Sequence, residues 1–169
     1  AMAALTWMTM TWWLGGKPSI VGAASGAVAG LVAITPASGF VTPMGAVVIG
    51  LGAGVFCYLA VRLRAKLKFD DSLDVWGVHG VGGTWGAIAT GLFATAAITG
   101  GAGVDGLFYG NPGQVVDQLV AVGATWAYSF VVTFILLKVI DKFIGLHVKE
   151  DEEVIGLDVS QHGERSYEI

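Results

Sequence analysis

The sequence predicts an all-α integral membrane protein with about five transmembrane helices, the first of them partial, followed by a cytoplasmic C-terminal tail. Of its 169 residues, 54% are hydrophobic and only 13% are charged, whereas soluble domains carry about 25% charged residues. Residues 1–61 contain a single charged side chain, Lys17, and most of the other charges cluster at residues 62–74 and from residue 138 onward. This distribution is typical of apolar spans joined by charged loops. We therefore predict a membrane region at residues 1–145 and a tail at residues 146–169.

Breaks rich in glycine and proline divide the apolar sequence into five candidate spans. A helix needs roughly 20 apolar residues to cross the bilayer core. The first segment is too short to cross alone and begins inside an apolar run without a recognisable signal peptide, as part of a longer chain would. The segments are residues 1–14, 19–35, 44–61, 75–98 and 116–140.

The basic residues indicate the orientation of these spans. The loops around residues 36–43 and 99–114 contain no Lys or Arg. All the basic loops fall on the other side of a five-span arrangement, which the positive-inside rule makes cytoplasmic. We therefore expect a multi-pass protein of the cell inner (plasma) membrane with a cytoplasmic C-terminus. The basic residues that decide this are Lys17, Arg62, Arg64, Lys66, Lys68, Lys142, Lys149 and Arg165.

Small residues recur along the second and the fourth span, and the second shows the spacing most clearly. Gly22, Gly26 and Gly30 follow one another every four residues and share one helix face. Spacing of this kind lets membrane helices approach closely. We therefore expect the second span to pack tightly against a neighbouring helix.

His79 is the candidate functional residue, because it is an ionisable side chain near the start of an apolar span. Such groups are expensive in the membrane and usually face the bundle interior or a transport pathway. On a regular helix, Gly82, Gly83 and Gly86 lie on the same face as the imidazole. A role in transport or proton relay is one interpretation. A neutral imidazole hydrogen-bonded to a neighbouring helix backbone is the other.

Asp74 precedes His79 and also has two interpretations. Its carboxylate can cap the helix and interact with the positive end of the helix dipole. Alternatively, it shapes the cytoplasmic end of a pathway that leads to His79. We expect Asp70 and Asp71 to be solvated and paired with the basic run before them.

Several classes of function are not expected. The lone Cys57 excludes an internal disulfide. The three histidines are too scattered for a metal site, and we find no phosphate-binding loop or nucleophile–base pair. No enzymatic activity and no cofactor are therefore expected. The net charge of −4 comes from loops and tail and does not indicate nucleic-acid binding.

Three stretches in sequence order resemble the Amt/Mep/Rh ammonium transporters, and their prokaryotic Amt branch in particular. These stretches are "GKPSIVGAASGAVAGLVAITPASGF", "DDSLDVWGVHGVGGTWGAIATGLFA" and the tail "GLDVSQHGERSYEI". Members of this family have eleven spans, form homotrimers and carry one pore in each protomer, built from an inverted pair of five-helix repeats. The resemblance implies that this chain corresponds to the second half, from part of the seventh span to the tail.

The resemblance also implies roles for particular residues. In the family, two histidines, one from each repeat, line the pore through which ammonium or ammonia is conducted. His79 matches the member from the second repeat, and Asp74 matches the pseudo-symmetric aspartate of that repeat. Trp76 occupies a position that is aromatic in relatives, and no binding role is assigned to it. The partner histidine and the outer cation site belong to the missing half, so we do not expect this chain to transport alone.

A second hypothesis makes the chain a non-transporting membrane interaction module. The working part is then the tail, which would bind a PII-type signal protein, the cytoplasmic partner that the resemblance implies. For the acidic stretch at residues 149–153, the simpler interpretation is a solvated linker.

The predicted topology is testable by labelling in intact cells. We expect a cysteine placed at residue 160 to be protected from a membrane-impermeant thiol reagent until the cells are permeabilised, because the positive-inside rule places the tail in the cytoplasm. Labelling of residue 160 in intact cells would contradict the orientation.

Overall fold

A computed structural model describes residues 1–165, which are helical and contain no strand longer than an isolated bridge. Residues 166–169, which end the tail motif, lie outside the described residues. A π-helical turn at Trp76–Gly80 leads directly into α4. The helices are α1 (Met2–Gly15), α2 (Ile20–Ile34), α3 (Pro43–Leu67), α4 (Val81–Phe93), α5 (Gly113–Phe143), α6 (Glu150–Ile155) and α7 (Leu157–Ser160).

Helices occupy all the predicted spans, but they differ in length. Three segments are long and apolar enough to cross a membrane: Ile20–Ala37, Pro43–Leu67 and Gly113–Phe143. The other two helices, α1 and α4, have 14 and 13 residues. The prediction of helical spans is therefore confirmed for three segments, and the exact number of crossings stays a prediction.

Local signals explain where the long helices begin and end. The Ser19 hydroxyl accepts a hydrogen bond from the Gly22 N–H at 3.0 Å and caps α2, and Thr42 caps α3 in the same way, followed by Pro43. Helix α3 continues beyond its predicted end through the basic run, where cations interact favourably with the helix C-terminus. It stops at Lys68, whose φ is 56°.

Helix α4 ends at Phe93, five residues short of the predicted Ile98. The reason is a contact between the two loops that lack basic residues. The Thr95 N–H donates to the Phe40 carbonyl at 2.8 Å, beside an antiparallel bridge between Val41 and Ala94. These backbone bonds take the place of further helical turns.

The chain divides into two units, residues 1–124 and residues 125–169, with the boundary inside α5. In the first unit, α1 packs on α2 and α3, and α4 also packs on α2 and α3. The buried core consists largely of small side chains, since most of its members are alanines. They include Ala3, Ala29, Ala33, Ala37, Ala53 and Ala89, together with Ile49, Cys57 and Trp7.

The predicted close packing of α2 is confirmed against α1. A methyl group added to Gly26 would lie 2.8 Å from the Ala3 carbonyl oxygen and 2.7 Å from Trp7 Cβ. The neighbouring members of the ladder, Gly22 and Gly30, face the same helix. The four-residue glycine spacing therefore marks the line along which the two helices touch.

Helix α4 approaches α2 and α3 by the same means. A methyl group on Gly86 would lie 2.1 Å from the Ala33 carbonyl oxygen, and one on Gly52 would lie 2.5 Å from the Trp85 ring. The Trp85 indole N–H also donates to the Ile49 carbonyl at 2.9 Å. Backbone contact and one hydrogen bond thus fix α4 beside α3.

The second unit contains the end of α5 and the tail. The Ser160 hydroxyl donates to the carbonyls of Gly156 and Glu152 at 2.9 and 3.2 Å. The Gln161 side-chain amide donates to the Glu152 carboxylate at 3.2 Å. These hydrogen bonds hold the short helices α6 and α7 against each other.

Substitution of Gly86 tests the packing of α4. We expect Gly86→Ala to lower stability by about 1–3 kcal/mol, the usual range for overpacking, because the new methyl group meets rigid backbone. The change is measured by heating each variant in detergent and using size-exclusion chromatography to quantify the protein that remains folded. The control is Gly123→Ala in α5, where nothing lies within 4 Å of the added methyl group. Equal stability of the two variants would contradict the proposed helix contact.

Candidate functional site

The site begins at the loop that leads from α3 into the π-helical turn. The Asp71 carboxylate accepts hydrogen bonds from the backbone N–H groups of Val75 and Trp76, at 2.8 and 2.9 Å. These amides open the helix and have no partner within it. Asp71 therefore caps this helix. The expected pairing of Asp71 with the basic run is not found in residues 1–165, where Arg64 of that run pairs with Asp74.

Asp74 has a different role from the predicted cap. Its carboxylate forms an ion pair with the Arg64 guanidinium, whose side chain is 24% exposed while that of Asp74 is 31% exposed. The capping interpretation of Asp74 is therefore wrong, because Asp71 reaches the free amides from one turn earlier. The alternative, that Asp74 helps to shape the cytoplasmic end of a pathway, stays a prediction.

The helical turn that carries His79 is a π-helix and not an α-helix. The Val81 N–H donates to the carbonyl of Trp76, five residues earlier, so the turn holds one residue more than an α-helical turn. Gly77 and Val78 are buried. A methyl group on Gly77 would lie 3.2 Å from the Val61 backbone nitrogen, which presses this turn against α3.

His79 follows these buried residues and is itself exposed. Gly82 and Gly86 are buried, and α2 covers both of them. The prediction that the imidazole shares one face with all three glycines is not met, since Gly82 and Gly86 pack against α2 while His79 is exposed. Gly83 is only partly buried, and the nearest atom to a methyl group added there is Val32 Cγ1 at 3.9 Å. The prediction assumed a regular helix, whereas the turn that carries His79 is π-helical.

The structure does not bring the predicted site residues into side-chain contact. The Asp74 carboxylate is bound to Arg64, and the backbone connects the two regions through the Val78 N–H, which donates to the Asp74 carbonyl at 2.9 Å. Within residues 1–165, the His79 side chain makes no hydrogen bond. A hydrogen bond from a neighbouring helix backbone, the structural alternative for this histidine, is therefore absent from the described residues.

The other histidines lie far along the sequence from this site. His147 and His162 are exposed and flank the short tail helices. No group of His, Cys, Asp and Glu in the described part of the chain could hold a metal ion. The site accordingly offers one imidazole, which can accept or donate a hydrogen bond and exchange a proton.

Sequence reasoning missed Arg64 as a site residue and misassigned Asp71. The stretch "DDSLD" places three carboxylates before one helix start, and sequence spacing alone does not decide which of them reaches the amides. Arg64 was counted only as one of several basic residues on one side of the membrane. Its pairing with Asp74 depends on how α3 lies beside the loop, which no local pattern encodes.

Comparison with protein families places this arrangement in a known context. Residues 1–167 match the model of the Ammonium Transporter Family. An ammonium transporter of Bacillus subtilis is 49% identical over 163 residues, which cover 96% of this chain and 40% of that protein. Ammonium transporter Amt1 of Archaeoglobus fulgidus is 52% identical over 99% of this chain and 42% of its own length. The chain thus spans about 40% of these curated relatives.

Solved structures agree with this result. Mep2 of Saccharomyces cerevisiae superposes with a TM-score of 0.83 at 41% identity, over 89% of this chain and 35% of that chain. A structure described as a sensor Amt protein gives a TM-score of 0.78 at 29% identity, over 95% of this chain and 38% of its own.

Proposed function

The chain belongs to the ammonium transporter family, and we propose that it forms the C-terminal part of a membrane transporter for ammonium, with His79 as one of two pore histidines. The observation that carries the proposal is the match of residues 1–167 to the family model. His79 is the sole ionisable side chain in residues 75–98, which makes it the candidate for the polar chemistry of the pore.

The chemistry of the substrate explains why an imidazole is suited to this position. Moving an ammonium cation into a medium of low dielectric constant is costly, whereas neutral ammonia crosses it much more easily. An imidazole can accept a hydrogen bond from ammonia, and it can take up or release a proton near neutral pH. Two imidazoles that share a proton would favour ammonia over alkali cations, which have no proton to give.

The exposure of His79 supports the presence of a second protein surface. An imidazole that faces lipid is poorly tolerated, and residues 1–165 leave that of His79 uncovered. We propose that the missing surface is a first repeat that precedes this chain and supplies the partner histidine. The complete protein would contain eleven spans in two inverted repeats and assemble as a homotrimer with one pore in each protomer.

Asp74 and Asp71 lie at the cytoplasmic end of this proposed pore. Asp71 holds the first amides of the helix that carries His79, and Asp74 is held by Arg64. We assign Asp74 to the cytoplasmic end of the substrate pathway. Its proposed role is structural: because its carboxylate is paired with Arg64, Asp74 holds the backbone at this end of the pathway.

The tail provides a second candidate function. Val154 and Ile155 on α6 are 82% and 63% exposed, and the same helix begins with a run of carboxylates. Exposed apolar patches rimmed by polar residues mark protein interaction sites, and Val154 and Ile155 could contribute to one beside these carboxylates. We propose that the cytoplasmic tail contributes to binding a PII-type signal protein, which would regulate transport across the inner membrane.

The isolated chain tests the need for a second repeat. We expect purified chain in liposomes to give no saturable ammonium-dependent pH change above protein-free controls, because it has no second histidine within a predicted span. The positive control is the full-length protein, reconstituted at the same protein-to-lipid ratio. A robust signal from the isolated chain would show that its pore is complete without a partner repeat.

Replacement of His79 tests the pore assignment in the full-length protein. We expect His79→Ala to change the transport rate or the selectivity for ammonium by about tenfold or more, equivalent to about 1.4 kcal/mol, while folded trimer persists. His79→Glu should retain part of the transport, because it restores a group that can hold a proton. Uptake is measured per mole of folded trimer.

A purely structural role for His79 predicts a different outcome. Loss of a purely structural contact made by His79 in the complete protein would let less protein reach the membrane, while each molecule transported normally. An unaltered normalised rate and unaltered selectivity in His79→Ala would therefore remove His79 from the proposed mechanism.

A further inference from the structure

We propose that Arg64 is a positioning residue for His79, because its ion pair with Asp74 fixes the start of the π-helical turn and thereby the direction of the imidazole. The inference rests on the proposed function, since the direction of His79 affects transport only if His79 acts in it. Arg64 lies outside the pore helix and makes no contact with the imidazole in the described structure. Its effect therefore passes through the backbone of the turn.

Asp74 is held through each of its polar groups. Its N–H donates to the Asp71 carbonyl at 3.2 Å, and its carbonyl accepts from the Val78 N–H at 2.9 Å. Its carboxylate pairs with Arg64. The residue thus joins the capping loop, the π-helical turn and α3 at one point.

The backbone of Asp74 needs this external support. Its φ is 54°, in the left-handed region that non-glycine residues seldom adopt. Aspartate tolerates this conformation better than most residues, but such conformations persist only where their surroundings hold them. The guanidinium of Arg64 is the side-chain partner that supplies this restraint, since Asp71 holds Asp74 only through the backbone.

One face of α3 contacts successive positions of the turn. The Cys57 thiol donates to the Val78 carbonyl at 3.8 Å, and Val61 lies against Gly77. Arg64 comes next on the same face, since residues seven apart in a helix lie nearly in line. Cys57 and Val61 therefore hold the body of the turn, and Arg64 holds its beginning.

The π-helical turn makes this anchoring important for His79. Relaxation of this turn, which contains His79, into a regular α-helix would change the number of residues per turn and so the direction of the imidazole relative to α4. The guanidinium is partly buried, and its Nε has no hydrogen-bond partner within residues 1–165. A pair in this setting is screened less by salt than a fully exposed one. Because the pair is the side-chain restraint on Asp74, its loss should release the start of the turn.

The experiment compares four substitutions in the full-length protein. Arg64→Ala removes the pair, and Asp74→Asn removes its charge while keeping a residue suited to positive φ. Arg64→Lys keeps the charge and is the conservative rescue. Arg62→Ala is the matched control, because Arg62 lies on the same helix and carries the same charge but bonds to the Tyr58 hydroxyl at 3.4 Å.

Two measurements are made on each variant, the first in lipid nanodiscs and the second in sealed proteoliposomes. The first is the NMR signal of the His79 ring carbon Cε1 and its proton at fixed pH, assigned as the signal that His79→Ala removes. The second is ammonium transport per mole of folded trimer. We expect Arg64→Ala and Asp74→Asn to move or broaden the His79 signal and to lower transport about 10- to 100-fold, as misplacement of about 1 Å does in active sites.

The remaining variants complete the expected pattern. Arg64→Lys should restore the signal and most of the transport, and Arg62→Ala should match the parent protein in both. The double variant of Arg64→Ala with Asp74→Asn should be no worse than either single one, because both remove the same interaction. If Arg64→Ala fails to fold, Asp74→Asn and Arg64→Lys carry the comparison alone.

Specific outcomes would overturn the proposal. A His79 signal that stays unchanged in Arg64→Ala and Asp74→Asn excludes positioning, whatever happens to transport. A shifted signal with normal transport, in a protein that His79→Ala inactivates, also excludes it. A shifted signal in a protein where His79→Ala leaves transport unaltered keeps the positioning effect and instead refutes the proposed pore function.

Discussion

The bundle of α1 to α4 depends on the absence of side-chain atoms where its helices cross. At Gly86 the neighbouring backbone carbonyl of Ala33 occupies the space that a methyl group would need, and at Gly26 the carbonyl of Ala3 does so. In lipid, no hydrophobic effect drives helices together, so close backbone packing has to supply much of the attraction. Glycine and alanine at the crossings provide that packing.

The same close packing determines the exposure of His79, the one ionisable residue of the predicted fourth span. Gly77 and Val78 fill the space against α3, and Gly82 continues the contact toward α2. His79 lies between these buried positions and is exposed. The imidazole belongs to a π-helical turn, with the contacts of Gly77 on one side of it and those of Gly82 on the other. In the proposed transporter, one helix can then face the bundle with its glycines and the pore with its histidine.

Burial is unequal along the chain, and this agrees with a role as part of a larger assembly. No residue of α5 is buried among the described residues, although this helix is long enough to cross a membrane. Lipid accounts for apolar exposure of this kind, and so does a further protein surface. The curated relatives that the chain matches are about two and a half times its length, as its 40% coverage of them implies. The proposed first repeat would cover the imidazole that lipid cannot accommodate.

The sequence by itself determined the helical, membrane-embedded class of this protein and the contact line of α2. Apolar runs broken by "GGKP" and "TPASGFVTP" depend on local solvation and backbone chemistry, so they can be interpreted without a structure. The ladder Gly22, Gly26 and Gly30 likewise predicts its own contact, because helical periodicity places it on one face. The direction of His79, the cap by Asp71 and the pairing of Asp74 were decided only by the tertiary structure. They depend on one extra residue in a turn and on the distance from α3 to the loop beside it, and both are set by packing between segments.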